Sequence, residues 1–473
     1  MSDSQQLHSD LLNTLNSLKK AHLEQGLANV QLRQDRLRRA IALLSDNRQQ
    51  LADAISHDFG HRSAYQSLLA DVASSISALK YAAENLEQWM QPEEVSAPAE
   101  GMQTFIQQQP LGVIGIISPW NFPLNLAFGP LAGIFAAGNT AMLKPSELTP
   151  RTSALLQKLV AQYFKPDELV VVLGDADVGQ AFSSLPFDHL VFTGSSNVGK
   201  HVMRAASENL VPVTLELGGK SPVVVAEDAD IKQAAVRTLS VKTFNAGQIC
   251  VSPDYLMLPN TASDAFVSAC REFMSKSFAT IANNPDYTSI ISQRHFERLL
   301  TLLEDAKAKG ATVIALAPLN EAAFDAKTRK IAPHLLVNVT DEMQIMQEEI
   351  FGPLLPIKSY QQVDEAIDYI NAHPRPLAAY YFGKNSALQH DFAQRTTSGA
   401  LVINDVMTHA SIDTLPFGGV GASGIGAYHG IHGFKRFTHA KAVVKQSEDG
   451  ASNLRLRAPY QQKHKDLSAL FNA

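Results

Sequence analysis

The sequence predicts an α/β protein whose parallel strands are joined by helical crossovers. Short apolar segments predict strands at Val113–Ile117, Ala141–Lys144, Leu169–Leu173 and His189–Thr193, with helical spacing between them and a helix opening near Asn197. Such alternation is typical of a doubly wound sheet, which binds nucleotides beyond the carboxyl ends of its strands. Single cores stop growing at about 250–300 residues. A chain of 473 residues, 45% of them hydrophobic, is therefore expected to form more than one core.

The alternation resumes after Gly218 and Gly219 and predicts a second α/β domain. Its predicted strands are Pro222–Val225, Tyr255–Leu258, Thr312–Ala315, Leu377–Phe382 and Ala400–Ile403. The first ~90 residues instead show leucine and alanine at intervals of three and four, which predicts helices. We therefore expect two α/β domains that meet at a cleft near Glu216.

Composition and charge argue against several classes of partner. Nucleic acid is disfavoured by the net charge of -6, and we interpret the basic run Arg33–Arg39 as the solvated face of a helix. The stretch from Gly101 to Leu143 carries no charge, but Pro119 and Pro123 interrupt it. This favours a buried strand, turn and helix over a membrane span. Only two cysteines and no signal-peptide pattern predict a cytoplasmic protein.

Two glycine-rich segments match nucleotide-binding patterns only in part. The segment from Gly194 to Lys200 fits a P-loop as far as its lysine, but His201 replaces the Ser or Thr that would bind Mg²⁺. It still presents backbone N–H groups at a helix start, which suits an anion such as a pyrophosphate. The run Gly419–Gly424 spells GxGxxG, yet no strand precedes it. We expect a tight-turning segment at a domain junction there.

Cys250 and Glu216 are the candidate reactive groups. Cys250 is predicted to lie in a loop before a Pro-broken turn, where it is either a nucleophile or a small buried hydrophobe. Glu216 ends an apolar strand, so its carboxylate either pairs with a cation such as Lys220 or has a raised pKa that suits proton transfer. Cys270 shares a helical face with Phe266 and is expected to pack in the core.

Seven segments, taken in their order and spacing, resemble the aldehyde dehydrogenase superfamily from about Pro110 to Phe437. They are Pro119-Trp120-Asn121-Phe122-Pro123, Leu143-Lys144-Pro145-Ser146-Glu147, Phe192-Thr193-Gly194-Ser195, Leu215-Glu216-Leu217-Gly218-Gly219-Lys220-Ser221-Pro222, Gly247-Gln248-Ile249-Cys250, Glu348-Glu349-Ile350-Phe351-Gly352-Pro353 and Pro416-Phe417-Gly418-Gly419. The resemblance implies a doubly wound, Rossmann-like cofactor domain, an α/β catalytic domain and a small β oligomerisation arm. We expect residues 1–95, 110–215 and 410–438 in the first, 216–409 in the second, and 96–109 and 439–455 in the arm.

The resemblance also implies a catalytic set of Cys250, Glu216 and Asn121. Cys250, as thiolate, would attack the aldehyde carbon, and the Asn121 amide with the Cys250 backbone N–H would hold the oxyanion. Hydride would leave for the nicotinamide, and Glu216 would then activate water to hydrolyse the thioester. Relatives that pass the acyl group to coenzyme A tend to lack this glutamate, so a carboxylate product is favoured.

Cofactor contacts follow from the same resemblance. Lys144 would bind the adenosine ribose and Glu147 its 2′-hydroxyl region, so NAD is favoured because a carboxylate repels a 2′-phosphate, although NADP stays open. The remaining residues expected to bind the cofactor are Trp120, Gly194, Ser195, Glu349 and Phe351. His429 and His432 have no further ligand nearby in sequence, so we expect no metal site.

Two features narrow the subgroup that the chain resembles. The region before Asn121 is short, as in the dimeric, class-3-like branch, which predicts a homodimer. The stretches Val402–His409 and Gly426–Gly430 resemble bacterial coniferyl aldehyde dehydrogenases and imply an aromatic aldehyde substrate. Medium-chain aliphatic aldehydes, a cofactor-free thiol esterase, a non-catalytic NAD-binding protein and a P-loop ATPase are the alternatives.

Overall fold

The computed structural model describes residues 3–98, 101–448, 456–461, 463–464, 467 and 471. Sixteen α-helices are assigned within these ranges. They are α1 Asp3–Gln25, α2 Val30–Asp46, α3 Arg48–Phe59, α4 Ala64–Ser67, α5 Ser74–Trp89, α6 Asn125–Ala136, α7 Pro150–Tyr163, α8 Ala176–Ser183, α9 Ser196–Ser207, α10 Ile231–Thr243, α11 Ser263–Ser277, α12 Gln293–Ala308, α13 Gln344–Gln347, α14 Val363–Asn371, α15 Ser386–Arg395 and α16 Gly430–Arg436. A π-helical turn, Leu68–Ala73, joins α4 to α5.

The strands form three larger sheets and one small ribbon. They are β1 Glu93–Val95, β2 Gln103–Pro110, β3 Val113–Ile117, β4 Thr140–Lys144, β5 Leu169–Val171, β6 His189–Gly194, β7 Val213–Leu217, β8 Ser221–Val225, β9 Pro253–Pro259, β10 Thr312–Ala315, β11 Phe324–Asp325, β12 Lys330–Ile331, β13 His334–Val337, β14 Leu354–Tyr360, β15 Ala378–Phe382, β16 Ala400–Ile403, β17 Gly424–Ile425 and β18 Thr438–Lys445.

The first large sheet has the order β17-β7-β6-β3-β4-β5. Apart from β17, its strands run parallel, as the alternation of strands and helices predicts. The chain builds outward from β3 through β4 to β5, then returns to the other side of β3 for β6 and β7. A doubly wound sheet opens a crevice where its strand order reverses, so a ligand site is expected beyond the carboxyl ends of β3 and β6.

The second large sheet has the order β10-β13-β14-β9-β8-β15-β16. Its predicted strands are present, but β13 and β14 were not predicted, and β14 lies near the middle of the sheet between β13 and β9. Pro353 and Pro356 break the apolar run in which β14 occurs, and proline is uncommon inside strands. Burial between neighbouring strands overrides that local preference.

A third, three-stranded sheet, β1-β2-β18, projects from the ends of both chain segments that were predicted to form an arm. β18 pairs with β2 along all eight residues, from Thr438 opposite Pro110 to Lys445 opposite Gln103. β1 lies entirely before residue 96, within the segment 1–95 that was predicted to belong to the cofactor domain, so the predicted boundary is wrong there. The predicted arm residues 99–100 and 449–455 lie outside the described residues. The division into three domains is kept as a proposal.

The basic run Arg33–Arg39 does not form a solvated face, so that prediction is wrong. Arg33 and Arg36 are buried on the inner side of α2. Arg33 donates to the carbonyl of Ala136 at the end of α6 (2.9 Å), where helical carbonyls lack partners within the helix. Arg36 and Arg39 both pair with Glu168, at 3.3 and 2.7 Å. These contacts attach the N-terminal helices to the first sheet.

The charge-free stretch folds into the interior, as predicted. Every residue of α6 after Asn125 is buried, including Pro130 within the helix. None of the helices in the described ranges combines the length and apolar character needed to cross a bilayer. Cys270 is fully buried in α11, which confirms the interpretation as a packing residue.

The crossing of α6 and α16 generates a stability prediction. A Cβ on Gly133 would lie 2.9 Å from the backbone carbon of Gly433, whereas one on Gly129 in the same helix would meet the Tyr428 ring at 3.7 Å. Gly133→Ala is expected to destabilise the fold by about 1–3 kcal/mol through overpacking. Gly129→Ala should be neutral or stabilise by about 0.5–1 kcal/mol because alanine favours helix. Equal thermal unfolding midpoints for the two variants would contradict the close crossing.

Candidate active site

The carboxyl edge of the first sheet collects polar groups through strand register. Ile117 lies opposite Lys144 on one side and Phe192 on the other, and Thr193 lies opposite Glu216. After β7 the chain crosses directly into β8 of the second sheet. Glu216 therefore lies at the junction between the two sheets, where the sequence predicted a cleft.

Cys250 follows a strained loop that opens toward this junction. Asn245 and Ala246 have φ values of 49° and 50°, a left-handed conformation that is rare outside glycine. Gly247 is also left-handed, and a Cβ there would lie 2.4 Å from the carbonyl oxygen of Gly352, so only glycine fits. Such strain persists only where the surrounding structure fixes it, and it concentrates at functional sites.

Cys250 is a half-buried residue, and its thiol lies near two acidic side chains. Desolvation, with the charges of Glu349 and Glu216 adding to it, raises the pKa of the Cys250 thiol to about 12. The thiol is therefore protonated at neutral pH in this structure. Its conversion to a thiolate needs a proton acceptor or a nearby positive charge.

Glu216 is 2% exposed on β7, and neither carboxylate oxygen has a hydrogen-bond partner among the described residues. Burial raises the pKa of this carboxyl well above its usual value, and Arg436 opposes the shift only in part. Lys220 does not neutralise it, because its ammonium group contacts Asp254. Of the two interpretations open from sequence, the geometry favours a proton-transfer group over an ion pair.

The Asn121 side chain is held beside the Cys250 loop. It is 3% exposed, and its Nδ2 donates to the carbonyl oxygen of Gln248 at 3.2 Å. Gln248 in turn donates to the carbonyl oxygens of Asn245 and Ser289, at 2.9 and 3.1 Å. This network brings Asn121 and Cys250 into one rigid unit.

An ion pair that the sequence did not reveal supports the segment that carries Asn121. Arg62 and Asp71 are fully buried and lie 2.9 Å apart. Arg62 donates to the backbone carbonyl of Asn121 at 2.9 Å, while Asp71 accepts from the first N–H groups of α6, on Leu124 and Asn125, at 3.0 and 3.3 Å. The two residues are far from Asn121 in sequence and lie in a helical region with no recognisable motif, so pattern alone could not find them.

A neighbouring residue of the same helical region holds the cysteine loop. The side-chain oxygen of Gln66 accepts from the backbone N–H of Asn245 at 3.0 Å and from the Thr288 hydroxyl at 3.0 Å. Its amide nitrogen donates to the carbonyl of Asp286. Arg62 and Gln66 therefore connect the N-terminal helices to both sides of the candidate site.

Lys144 and Glu147 meet at the carboxyl end of β4. The Lys144 ammonium is buried and lies 2.8 Å from the Glu147 carboxylate, whose side chain is 41% exposed. Although partial burial opposes ionisation, the hydrogen bond from Lys144 lowers the pKa of Glu147 below its usual value. Glu147 is therefore an accessible, ionised carboxylate beside a buried cation.

Gly194 and Ser195 lie where β6 passes into α9. Ser195 caps the helix by accepting from the N–H of Val198 at 3.4 Å. A Cβ on Gly194 would lie 2.6 Å from the Phe192 ring, so the tight approach requires glycine. The resulting helix start suits an anion. The buried hydroxyl of Thr193, just before Gly194, has no hydrogen-bond partner in the described part of the chain.

Trp120, Phe351 and Glu349 form the wall facing these elements. The Trp120 ring contacts the Phe351 ring edge to face, with centroids 5.4 Å apart. Phe351 adopts a left-handed φ of 51°, which is strained for an aromatic residue. Desolvation, with Asp254 nearby, raises the pKa of Glu349 to about 8, while a hydrogen bond from the Gly219 backbone opposes the shift.

The structure shows the positions of the two glycine-rich segments that match nucleotide-binding patterns only in part. In the first, Lys200 lies inside α9, one turn beyond the helix start. In the second, Gly424 begins β17, which pairs antiparallel with β7 next to Glu216. Within the described residues, no group of three or more His, Cys, Asp and Glu side chains is arranged to hold a metal ion.

Comparison with known proteins identifies the family. The Aldehyde dehydrogenase family matches residues 8–443. The chain belongs to the aldehyde dehydrogenase family. A coniferyl aldehyde dehydrogenase of a Pseudomonas species is 59% identical over 446 residues, covering 94% of this chain and 93% of that protein.

Two solved structures extend the agreement to the fold of this aldehyde dehydrogenase. Substrate-bound AldH of Staphylococcus aureus is 36% identical with a TM-score of 0.91, covering 97% of this chain and 99% of that one. Indole-3-acetaldehyde dehydrogenase of P. syringae, in complex with NAD+ and IAA, is 28% identical with a TM-score of 0.84, covering 93% and 89%. NAD(P)-dependent aldehyde oxidation and the aldehyde dehydrogenase fold, both predicted from sequence, are confirmed.

The cofactor that the family uses fits the residues at the crevice. A buried ammonium on Lys144, a glycine-lined helix start and an unpartnered buried hydroxyl on Thr193 supply the cation and donors that a dinucleotide requires. Trp120 and Phe351 add a pair of aromatic rings in mutual contact. These features fit NAD(P), with its pyrophosphate toward α9.

The buried Arg62–Asp71 pair generates a prediction about positioning. Arg62→Met leaves Asp71 as an unpaired buried charge, which costs about 3–5 kcal/mol of stability. It also removes the hydrogen bond to Asn121, so kcat should fall at least about tenfold through misplacement. Thermal unfolding and steady-state kinetics would measure the two effects.

A double variant separates stability from positioning. Arg62→Met with Asp71→Leu replaces the pair by apolar groups and should recover most of the lost stability. Turnover should stay low, because the hydrogen bond from Arg62 is lost and the Asn121 carbonyl keeps only the longer one from the Asn245 side chain, at 3.2 Å. Full turnover in the double variant would show that the pair has only a structural effect.

Proposed function

We propose that this aldehyde dehydrogenase oxidises an aromatic, coniferyl-aldehyde-like aldehyde to its carboxylate. The observation that carries the proposal is the 59% identity, across nearly the whole chain, to a protein named for that substrate. A cinnamaldehyde skeleton is flat and largely apolar. It suits a site that has the aromatic ring of Tyr428 near Glu216 and Cys250.

Cys250 is proposed as the nucleophile. Its thiol would first lose its proton to water, and the thiolate sulfur would then bond to the aldehyde carbon as the carbonyl oxygen takes the negative charge. The Asn121 amide and the Cys250 backbone N–H would stabilise that oxyanion, each donor typically contributing ~3–4 kcal/mol. Because Asn121 is already held against Gln248, little reorganisation would be needed.

The later steps combine NAD(P) with Glu216. When bound, the nicotinamide accepts the two electrons that leave the aldehyde carbon with its hydrogen. A thioester then joins the acyl group to the Cys250 sulfur. Glu216 would take a proton from water as the water oxygen bonds to the acyl carbon, and the C–S bond would break to release the acid. The raised pKa of Glu216, caused by burial, suits a general base.

Two substitutions test these roles. Cys250→Ala should abolish NADH formation, because no thioester can form. Glu216→Gln should give a burst of about one NADH per active site and then stall, because acylation persists while hydrolysis fails. Stopped-flow absorbance of the reduced nicotinamide would measure both. Unchanged steady turnover in Glu216→Gln would mean that another group activates water.

A preference for NAD over NADP is proposed from Glu147. Its ionised, accessible carboxylate would repel a 2′-phosphate on the adenosine ribose. Glu147→Gln should raise kcat/KM for NADP relative to NAD by about tenfold, since a like-charge contact is removed. Glu208, an exposed carboxylate just beyond α9, provides the matched control in Glu208→Gln. An equal change in the cofactor preference of Glu208→Gln would contradict the role assigned to Glu147.

A homodimer joined through the β arm is also proposed. The free edge of β18 has no strand partner among the described residues, and such edges favour pairing with another chain. Val444 on β18 is 61% exposed and Val95 on β1, at the opposite edge, is 47% exposed.

A cytoplasmic location is also proposed, because reducing conditions suit the two free cysteines.

A dimer joined through the β arm predicts how two substitutions change the molecular mass of the protein in solution. Val444→Asp places a charge on the edge strand of each copy and should give a monomer by light scattering. Val95→Asp, the same change on the other edge, should leave the dimer intact. A dimer in both variants, with circular dichroism unchanged, would place the interface elsewhere.

A further inference from the structure

A cluster of four rings lies beside the candidate site and is not used by the proposed mechanism. Phe417 stacks on His409, with centroids 6.0 Å apart and planes 12° apart, and on His429, at 5.1 Å and 23°. Tyr428 contacts both Phe417 and His429. We call these four residues the imidazole cluster. Two histidines on one phenylalanine are unusual chemistry for a purely packing role.

The histidines of the imidazole cluster carry unsatisfied polar atoms. His409 is 7% exposed, and neither of its ring nitrogens has a hydrogen-bond partner in the described part of the chain. The Nδ1 of His429 also lacks one. Desolvation lowers the pKa of both rings to about 4, so each is a neutral imidazole with one donor and one acceptor. Buried groups of this kind are normally satisfied by a water or a ligand.

Two connections join the imidazole cluster to the reactive groups. Burial raises the pKa of the Tyr428 hydroxyl far above its usual value, and the nearby charges of Glu216 and Cys250 add to the shift. The Tyr380 hydroxyl donates to the carbonyl of Val251 at 2.5 Å and receives a hydrogen bond from the backbone of Met407.

The second connection leads directly to His409. Met407 has a left-handed φ of 68° and is followed by a 3-10 turn, Thr408–Ser411. The N–H of Ala410 donates to the Met407 carbonyl at 3.0 Å, which fixes the turn that carries His409. The imidazole cluster therefore has a defined position relative to the residue that follows Cys250.

We propose that His409, with His429 beside it, hydrogen-bonds the ring oxygens of a hydroxyaryl aldehyde and so selects this substrate class. The proposal rests on the proposed function and adds to it the residues that would recognise the ring oxygens of the substrate. A phenol hydroxyl donates to an imidazole nitrogen, and a phenol or methoxy oxygen accepts from an imidazole N–H.

Paired substrates test the selection. Coniferyl aldehyde carries the ring oxygens, and cinnamaldehyde has the same skeleton without them. In His409→Phe, the ratio of kcat/KM for coniferyl aldehyde to that for cinnamaldehyde should fall about tenfold, as expected for one lost hydrogen bond. His409→Gln, which keeps a donor and an acceptor, should retain the ratio to within about threefold. His390→Phe, at an exposed position on α15, is the matched control.

The outcomes distinguish this inference from the proposed function. An unchanged ratio in His409→Phe, or an equal fall in the Phe and Gln variants, would overturn the inference. If wild-type turnover of coniferyl aldehyde is absent, the inference is tested by binding instead. Calorimetry would then measure the binding of both aldehydes to the Cys250→Ala variant. In that case a binding preference that depends on His409 would support the inference while the proposed function fails. No such preference would overturn both.

Discussion

The buried ion pair between Arg62 and Asp71 is the contact on which the geometry of the site depends. Neither side chain has any exposed surface, so the pair is stable only because each charge is compensated by the other and by backbone groups. Asp71 lies in a π-helical turn, a rare geometry often found at functional sites, and it accepts from the start of α6. Arg62 binds the Asn121 carbonyl. A helical N-terminal region thereby fixes a loop of the first sheet.

Strain and sheet topology act together around that contact. The doubly wound sheet sets Lys144, Thr193 and Glu216 along one edge by register alone, with no loop flexibility involved. The opposing side depends on left-handed residues at Ala246 and Phe351, which are costly outside a folded context. Regular strands therefore position Lys144, Thr193 and Glu216, and strained loops position Cys250 and Phe351.

The acidic surroundings of Cys250 make its reactivity depend on loss of the thiol proton. Burial raises the pKa of Cys250, with the charges of Glu349 and Glu216 adding to the shift, and burial also raises the pKa of these two carboxyl groups. A protonated thiol is a poor nucleophile, which protects the cysteine from unwanted reactions. In the proposed mechanism, a cationic nicotinamide ring bound nearby would favour the thiolate of Cys250.

The sequence by itself determined the family, most of the alternating strands of both sheets and the candidate set of Cys250, Glu216 and Asn121. Those features depend on local patterns: apolar periodicity, glycine at tight turns and short motifs. Only the tertiary structure decided between a paired and an unpaired Glu216, revealed β14 despite its prolines, and corrected the interpretation of Arg33–Arg39. It alone revealed the contact of Arg62 with Asn121. These outcomes depend on neighbours distant in sequence, and burial and charge pairing are set by those neighbours.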